Sequence, residues 1–308
     1  MRVGVVDVGT NSTRLLVADV EGDRVEEVAR RTEITRLGEG VDERRKLLPL
    51  PIARVRNVLS GYRRELADLG AERVLAVGTS AIRDAENGEA FLGEVEWSYG
   101  FATRLLSGED EAELTRRGVA NGRALDDGTL VLDVGGGSTE LITAGERTSL
   151  DLGSVRLTER HLQSDPPTGN ELERCTAEVR RTLPDLRPVD AIGVAGTITT
   201  LAALDLGLDE YDAERVHGHR ISAGAVQEQL ERLASVPLEE RRRFPALEPE
   251  RAPVIVAGAV IVREVLARYG LDGLEASERD LLHGAALEAA ALPERAEGEA
   301  PPGAYTCC

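Results

Sequence analysis

The sequence predicts a duplicated α/β protein, and three observations carry that prediction. Short apolar runs of strand length alternate with longer stretches of helical periodicity along the chain. Residues 131–142, VLDVGGGSTELI, read as an apolar run ending in aspartate, a glycine turn and a second apolar run, which is a hairpin. Residues 5–16, VVDVGTNSTRLL, align with that segment without a gap, sharing the Asp, Val, Gly, Ser, Thr and first Leu. A repeat of that period predicts two similar halves, each opening on a hairpin whose loop faces a shared cleft.

The elements follow in order. After the first hairpin a third strand is predicted over 25–32. Apolar residues at 52, 55, 59, 62 and 66, with Pro51 near the start, predict an amphipathic helix over 50–69 that closes around Gly70. Residues 74–77 form a short buried strand leading into Gly78-Thr79-Ser80-Ala81-Ile82-Arg83. A helix over 88–97 and a strand over 101–106 come next. Ser107 then caps a helix from Gly108, with Asp110 in the capping-box position. The second half has strands over 130–134, 140–143 and 148–152, and Leu152-Gly153-Ser154-Val155 reads as a strand end. A helix over 169–183 precedes a buried strand at 191–195, which delivers Gly196-Thr197 to a helix over 198–206. Further helices are expected at 223–234, 254–269 and 277–291, the last capped by Ser277. The resulting division is 1–121, 122–292 and a flexible tail over 293–308, rich in Glu, Ala, Pro and Gly.

Composition narrows the function. A chain of 308 residues with 42% hydrophobic residues can bury a proper core. A net charge of −18 argues against a general nucleic-acid binder and against an anionic membrane surface. Lys46 is the only lysine, so no Gly-Lys-Ser/Thr phosphate loop exists and any polyanion must meet arginines. Cys175, Cys307 and Cys308 make neither a disulfide framework nor a zinc set. No signal peptide is visible and the longest apolar run, 252–262, is too short for a bilayer, so the expected location is the cytoplasm.

Candidate chemistry lies in the loops. Three glycines at 135–137 weaken any regular element but let a ligand approach bare backbone N–H groups, which in a turn form an anion-binding concavity. Asp133 and Glu140 bracket that loop and could hold a divalent cation through oxygen. Asp7-Val8-Gly9-Thr10-Asn11-Ser12 offers the same arrangement, although a solvated turn also favours Asn and Gly. Gly196-Thr197 suits an anion at a helix start and equally suits simple capping. Glu109, Asp110 and Glu111 share one helical first turn, where any acid is stabilised by the dipole, so composition does not choose among them. Arg14 and Arg83 stand near the loops and could clamp phosphate. The histidines show no metal spacing.

These residues carry a resemblance. The segments 7–12, 78–83, 107–112, 133–141, 193–197 and 277–284 come in the order and spacing of the exopolyphosphatase and guanosine pentaphosphate phosphohydrolase (Ppx/GppA) family, and the resemblance runs to about residue 287. It implies an actin-like ATPase fold, two ribonuclease-H-like halves around a cleft. It also implies metal-dependent hydrolysis of a phosphoanhydride, with Mg2+ or another divalent cation. Carried over by position, Glu111 is the general base, and Asp133 and Glu140 hold or orient metal and water. Asp7, Gly9, Thr10, Asn11, Ser12, Arg83, Gly135, Gly136, Gly137, Ser138, Gly196 and Thr197 receive phosphate. Asp110 stands where the family often has Glu, and the additional C-terminal helical domain of longer members is missing. The expected substrate is inorganic polyphosphate, with guanosine pentaphosphate as the alternative. A kinase or a nucleotide-binding regulator of the same superfold is less favoured. A homodimer is common in the family.

Overall fold

Residues 1–293 are described by the computed structural model, and they fall into two compact units. The first contains β1 (Arg2–Val8), β2 (Ser12–Glu21), β3 (Arg24–Ile34), α1 (Val41–Arg44), α2 (Pro49–Asp68), β4 (Arg73–Gly78), α3 (Ser80–Asp84), α4 (Gly88–Tyr99), β5 (Ala102–Leu105) and α5 (Gly108–Val119). The second contains β6 (Thr129–Val134), β7 (Thr139–Ile142), β8 (Arg147–Leu150), α6 (Ser154–His161), α7 (Gly169–Thr182), β9 (Asp190–Val194), α8 (Ala195–Asp205), α9 (Ala213–Val216), β10 (Arg220–Ser222), α10 (Ala223–Ala234), α11 (Leu238–Arg241), α12 (Ile255–Tyr269) and β11 (Gly273–Ala276). The closing helix α13 (Leu281–Ala291) belongs to the first unit.

The two sheets repeat one plan. In the first unit the order is β3-β2-β1-β4-β5, with β1–β2–β3 antiparallel and β4 and β5 added in parallel. In the second the order β8-β7-β6-β9-β11 repeats it, and β10 adds an antiparallel edge. The central strand β1 is buried on both faces because its valines alternate. Val6 and Val8 join the core under α2 and α4, while Val3 and Val5 join the core with α5 and α13. In the second unit one core gathers Leu130, Leu132 and Val134 of β6 with the apolar α8 and α12. Helix α12 is buried nearly all round, as its uncharged first eight residues, 255–262, require.

Three expectations need correction. Residues 152–155 are not a strand end: Gly153 is the N-cap of α6. Ser277 does not cap the last helix. Its hydroxyl accepts from the Arg279 N–H in a local turn, and α13 starts only at Leu281. The last helix was also assigned to the second half, but α13 packs on α5, β1, β2 and β4 of the first unit. The short strands β10 and β11 lacked a readable alternation. The predicted tail lies, from residue 294 on, outside the described residues.

Candidate active site

Each unit presents one glycine hairpin, and the two hairpins close identically. Gly9 N–H donates to Ser12 O at 3.0 Å, and Gly135 N–H donates to Ser138 O at 3.0 Å. A Cβ on Gly9 would stand 2.9 Å from Ser12 O, so that tight turn requires glycine.

The segment that follows the third strand braces the loop in both units. In the second, the first turn of α6 supplies the ties. Ser154 N–H donates to Gly135 O at 3.0 Å, and Val155 and Arg156 N–H donate to Gly136 O at 2.9 and 3.2 Å. The Arg156 Nε–H then donates to Gly137 O at 2.7 Å. Carbonyl and N–H point to opposite sides of a trans peptide. Tying these carbonyls to α6 therefore turns the N–H groups of Gly136, Gly137 and Ser138 to the other side, as a row of donors suited to an anion. In the first unit Gly38 N–H donates to Thr10 O at 2.8 Å, and Thr35 and Arg36 N–H donate to Asn11 O at 3.1 and 2.8 Å. The same argument directs the N–H groups of Asn11 and Ser12 outward. Ala81 N–H fixes the Thr10 hydroxyl at 3.2 Å, and the buried Asn11 Oδ1 has no hydrogen-bond partner among the described residues.

Carboxylates flank both loops. Asp7 lies opposite Arg14 in the β1–β2 register, and Arg14 Nε–H and Nη2–H reach Asp7 Oδ2 at 2.9 and 2.8 Å. At the equivalent positions of the second unit, Asp133 lies opposite Glu140. Directly opposed residues share one face of the sheet, so two carboxylates, 6% and 1% exposed, sit side by side where the first unit has an ion pair. Ser149 Oγ–H donates to Glu140 Oε1 at 2.7 Å. Among the described residues no group of three or more His, Cys, Asp or Glu side chains could hold a metal. A two-carboxylate set still fits Mg2+, which keeps several waters and takes phosphate oxygens, and does not suit a structural zinc.

Within the run 109–111 the structure separates the acids. Glu109 is exposed. Asp110 completes a capping box with Ser107, and hydrogen bonds from Ser107, helped by Arg104, hold its carboxyl below the ordinary range. Glu111 turns inward, 8% exposed, with Arg83 Nη1 at 3.3 Å from Oε2. Arg83 also donates to Leu106 O at 2.8 Å, which fixes it beside Glu111.

Helix α8 begins at Ala195, three residues earlier than expected, so Gly196 and Thr197 lie inside its first turn instead of before it. They follow β9, whose Val194 pairs with Asp133 of β6, so they stand at the same strand ends as the Gly135–Gly137 loop. Ala195 adopts φ 68°, a left-handed conformation that non-glycine residues seldom occupy. The Arg251 guanidinium covers Gly196, where an added Cβ would stand 2.0 Å from Nη1. The sequence reading missed Arg251, Gly153 and Arg156. Arg251 is remote in sequence and left no local signal. Gly153 and Arg156 were hidden by the misread start of α6.

The strand order repeated in the two units, each with its glycine hairpin, defines an actin-like ATPase fold. The profile of the Ppx/GppA phosphatase family matches residues 16–291, and the chain belongs to that family. It is 40% identical to exopolyphosphatase 2 of Mycobacterium tuberculosis, covering 94% of this chain and 98% of that one. The solved structure of an exopolyphosphatase-like protein matches with TM-score 0.86 and 34% identity, covering 94% of this chain and 98% of the other. A guanosine-5'-triphosphate,3'-diphosphate pyrophosphatase of Vibrio atlanticus is 28% identical over 92% of this chain but only 58% of its own length.

Proposed function

We propose that the protein is an exopolyphosphatase, hydrolysing the terminal phosphoanhydride of inorganic polyphosphate with Mg2+ to release orthophosphate. One observation carries the reading: a single hairpin of the second unit combines an outward row of N–H donors with two adjacent buried carboxylates. That is a grip for a phosphate and for its metal counter-ion. It answers the problem posed by a body of net charge −18, because backbone dipoles and arginines bind the polyanion where lysines are lacking. The near-full-length match to an exopolyphosphatase supports the same substrate.

The roles follow from the chemistry of each group. Gly136, Gly137 and Ser138 hold phosphate oxygens through N–H groups. The N–H groups of the Gly9–Ser12 loop, and those of Gly196 and Thr197, do the same for other phosphates, and Asp7, ion-paired with Arg14, supports the first loop at the end of β1. Arg83 neutralises charge. Asp133 and Glu140 hold the metal, and Glu140 also orients the attacking water; when bound, Mg2+ offsets the negative charge of the reacting phosphates. Glu111 takes the proton as a water oxygen attacks the terminal phosphorus and the bridging P–O bond breaks, leaving a chain one phosphate shorter. Positioning and charge stabilisation supply most of the acceleration, as is usual for phosphoryl transfer.

Hydrolysis of guanosine pentaphosphate at its 5′ terminal phosphate is the second reading. Its reacting bond is the same, and the family takes its name from both activities. The higher identity to the exopolyphosphatase, 40% against 28% for the Vibrio relative, favours polyphosphate. A competition assay tests the choice: excess guanosine pentaphosphate should leave orthophosphate release from polyphosphate nearly unchanged, and strong inhibition would reverse the assignment. Phosphate transfer to a sugar or carboxylate acceptor would point to a kinase, and binding without turnover to a regulator. Among the described residues no helix is long and apolar enough to cross a membrane. We place the activity in the cytoplasm and expect a homodimer.

A further inference from the structure

We propose that Arg156 is a positioning residue for phosphate binding: its guanidinium sets the orientation of the Gly137–Ser138 peptide and thereby keeps the Ser138 N–H in the donor row. The inference rests on the reading of the Gly135–Gly137 loop as a phosphate grip. Three consecutive carbonyls of that loop are tied down, but not by the same kind of donor. Gly135 O and Gly136 O receive backbone N–H groups of Ser154, Val155 and Arg156, ties that no side-chain change removes. Gly137 O receives the Nε–H of Arg156 at 2.7 Å, a tie made by a side chain.

The setting of this arginine argues for such a role. Arg156 is only 6% exposed, and it lies in the first turn of α6, where a cation opposes the helix dipole. Burying a guanidinium costs free energy unless it is well bonded. Asp151 stands 3.8 Å from Nη2, with its side chain 80% exposed. The bond to Gly137 O fastens this buried guanidinium directly to the loop backbone. Gly137 has no Cβ to restrain its dihedrals. Without the Nε–H the Gly137–Ser138 peptide can rotate, taking the Ser138 N–H out of the row while Gly136 and Gly137 N–H stay in place.

The prediction is therefore selective along three neighbouring amides. Amide resonances of Gly136, Gly137 and Ser138 are followed by NMR during titration with tripolyphosphate and Mg2+, in the Glu111→Gln background so that the ligand persists. In that parent all three amides should shift. With Arg156→Met added, Gly136 and Gly137 should still shift and Ser138 should not. In the otherwise native enzyme, Arg156→Met should lower kcat/KM by about 100-fold, the size of losing one donor from a preorganised row. Arg156→Lys keeps the charge and much of the reach, tests the point if the methionine variant does not fold, and should lose less. Equal response of all three amides in either variant, with kcat/KM unchanged for folded protein, would overturn the role of Arg156. Silence of all three amides in the Glu111→Gln parent would instead refute the phosphate grip itself.

Discussion

Glu111 shows what a single position can and cannot reveal. As one of three consecutive acids it had no distinguishing composition, and dipole stabilisation accounted for all of them. The periodicity of α5 held the missing signal: Glu111 lies on the stripe of Leu114, Thr115 and Gly118, which is buried. An acid on a buried stripe calls for a partner, and Arg83 is there. Glu111→Gln should lower kcat by about 10²- to 10⁴-fold with little change in KM or thermal midpoint, measured by steady-state phosphate release and calorimetry. Asp110→Ala should do the reverse, costing about 1 kcal/mol of stability as a lost cap while leaving turnover within a few-fold. Gly153 is a different case, since the sequence reading placed it in a strand end. A Cβ there would meet Gly136 O at 2.2 Å and the carbonyl carbons of Gly136 and Gly137 at 2.4 Å. Those atoms are backbone and cannot swing aside, so Gly153→Ala should raise KM for polyphosphate about tenfold or more; an unchanged KM would mean the loop tolerates displacement.

At the scale of elements, α13 does more than close the chain. Its Gly284 meets α5 so closely that a Cβ would lie 1.9 Å from Leu114 O. Arg104 strengthens the same contact, reaching Asp110 of α5 and Glu288 of α13 at 2.5 Å each. Because α5 carries Glu111, Gly284→Ala should cost about 1–3 kcal/mol and reduce kcat as well, read by chemical denaturation and by turnover of the folded protein. A lower stability with native kcat would show that α5 shifts without moving Glu111. Periodicity made the long helices α2, α7, α10 and α12 readable to within a residue or two. It failed at β10 and β11, which are three and four residues long and offer too few alternations to register. In the second unit Glu171 closes a capping box at α7. Hydrogen bonds led by the Thr168 N–H, with others from Thr168, Gln163 and Ser164, bring its pKa down to about 2. A depressed carboxyl contributes stability that is full above its unfolded pKa and lost as pH falls through the folded one. The stability gap between the native chain and Glu171→Gln should thus narrow between about pH 4.5 and pH 2, and a gap constant over that range would count against this ionic cap.

For the molecule as a whole, duplication was legible because the hairpins must keep Asp, Gly, Ser and Thr at matched positions to turn the same way. The structure extends the match to strand order and to the bracing segment after each third strand, neither of which the alignment of two hairpins could show. Where the repeats diverge, the chemistry diverges: Arg14 neutralises Asp7 in one unit, whereas Glu140 joins Asp133 in the other. Metal dependence should accordingly reside in the second hairpin. Asp133→Asn should raise the Mg2+ concentration needed for half-maximal activity at least tenfold, whereas Glu33→Gln, an exposed change on β3, should leave it unaltered. The most direct test of the central claim is orthophosphate release from long-chain polyphosphate with Mg2+, comparing the native chain with Glu111→Gln. Steady release by the native chain, lost in the variant although it still binds polyphosphate, is the predicted result. No release by a folded native chain, or equal release by both, would contradict the account.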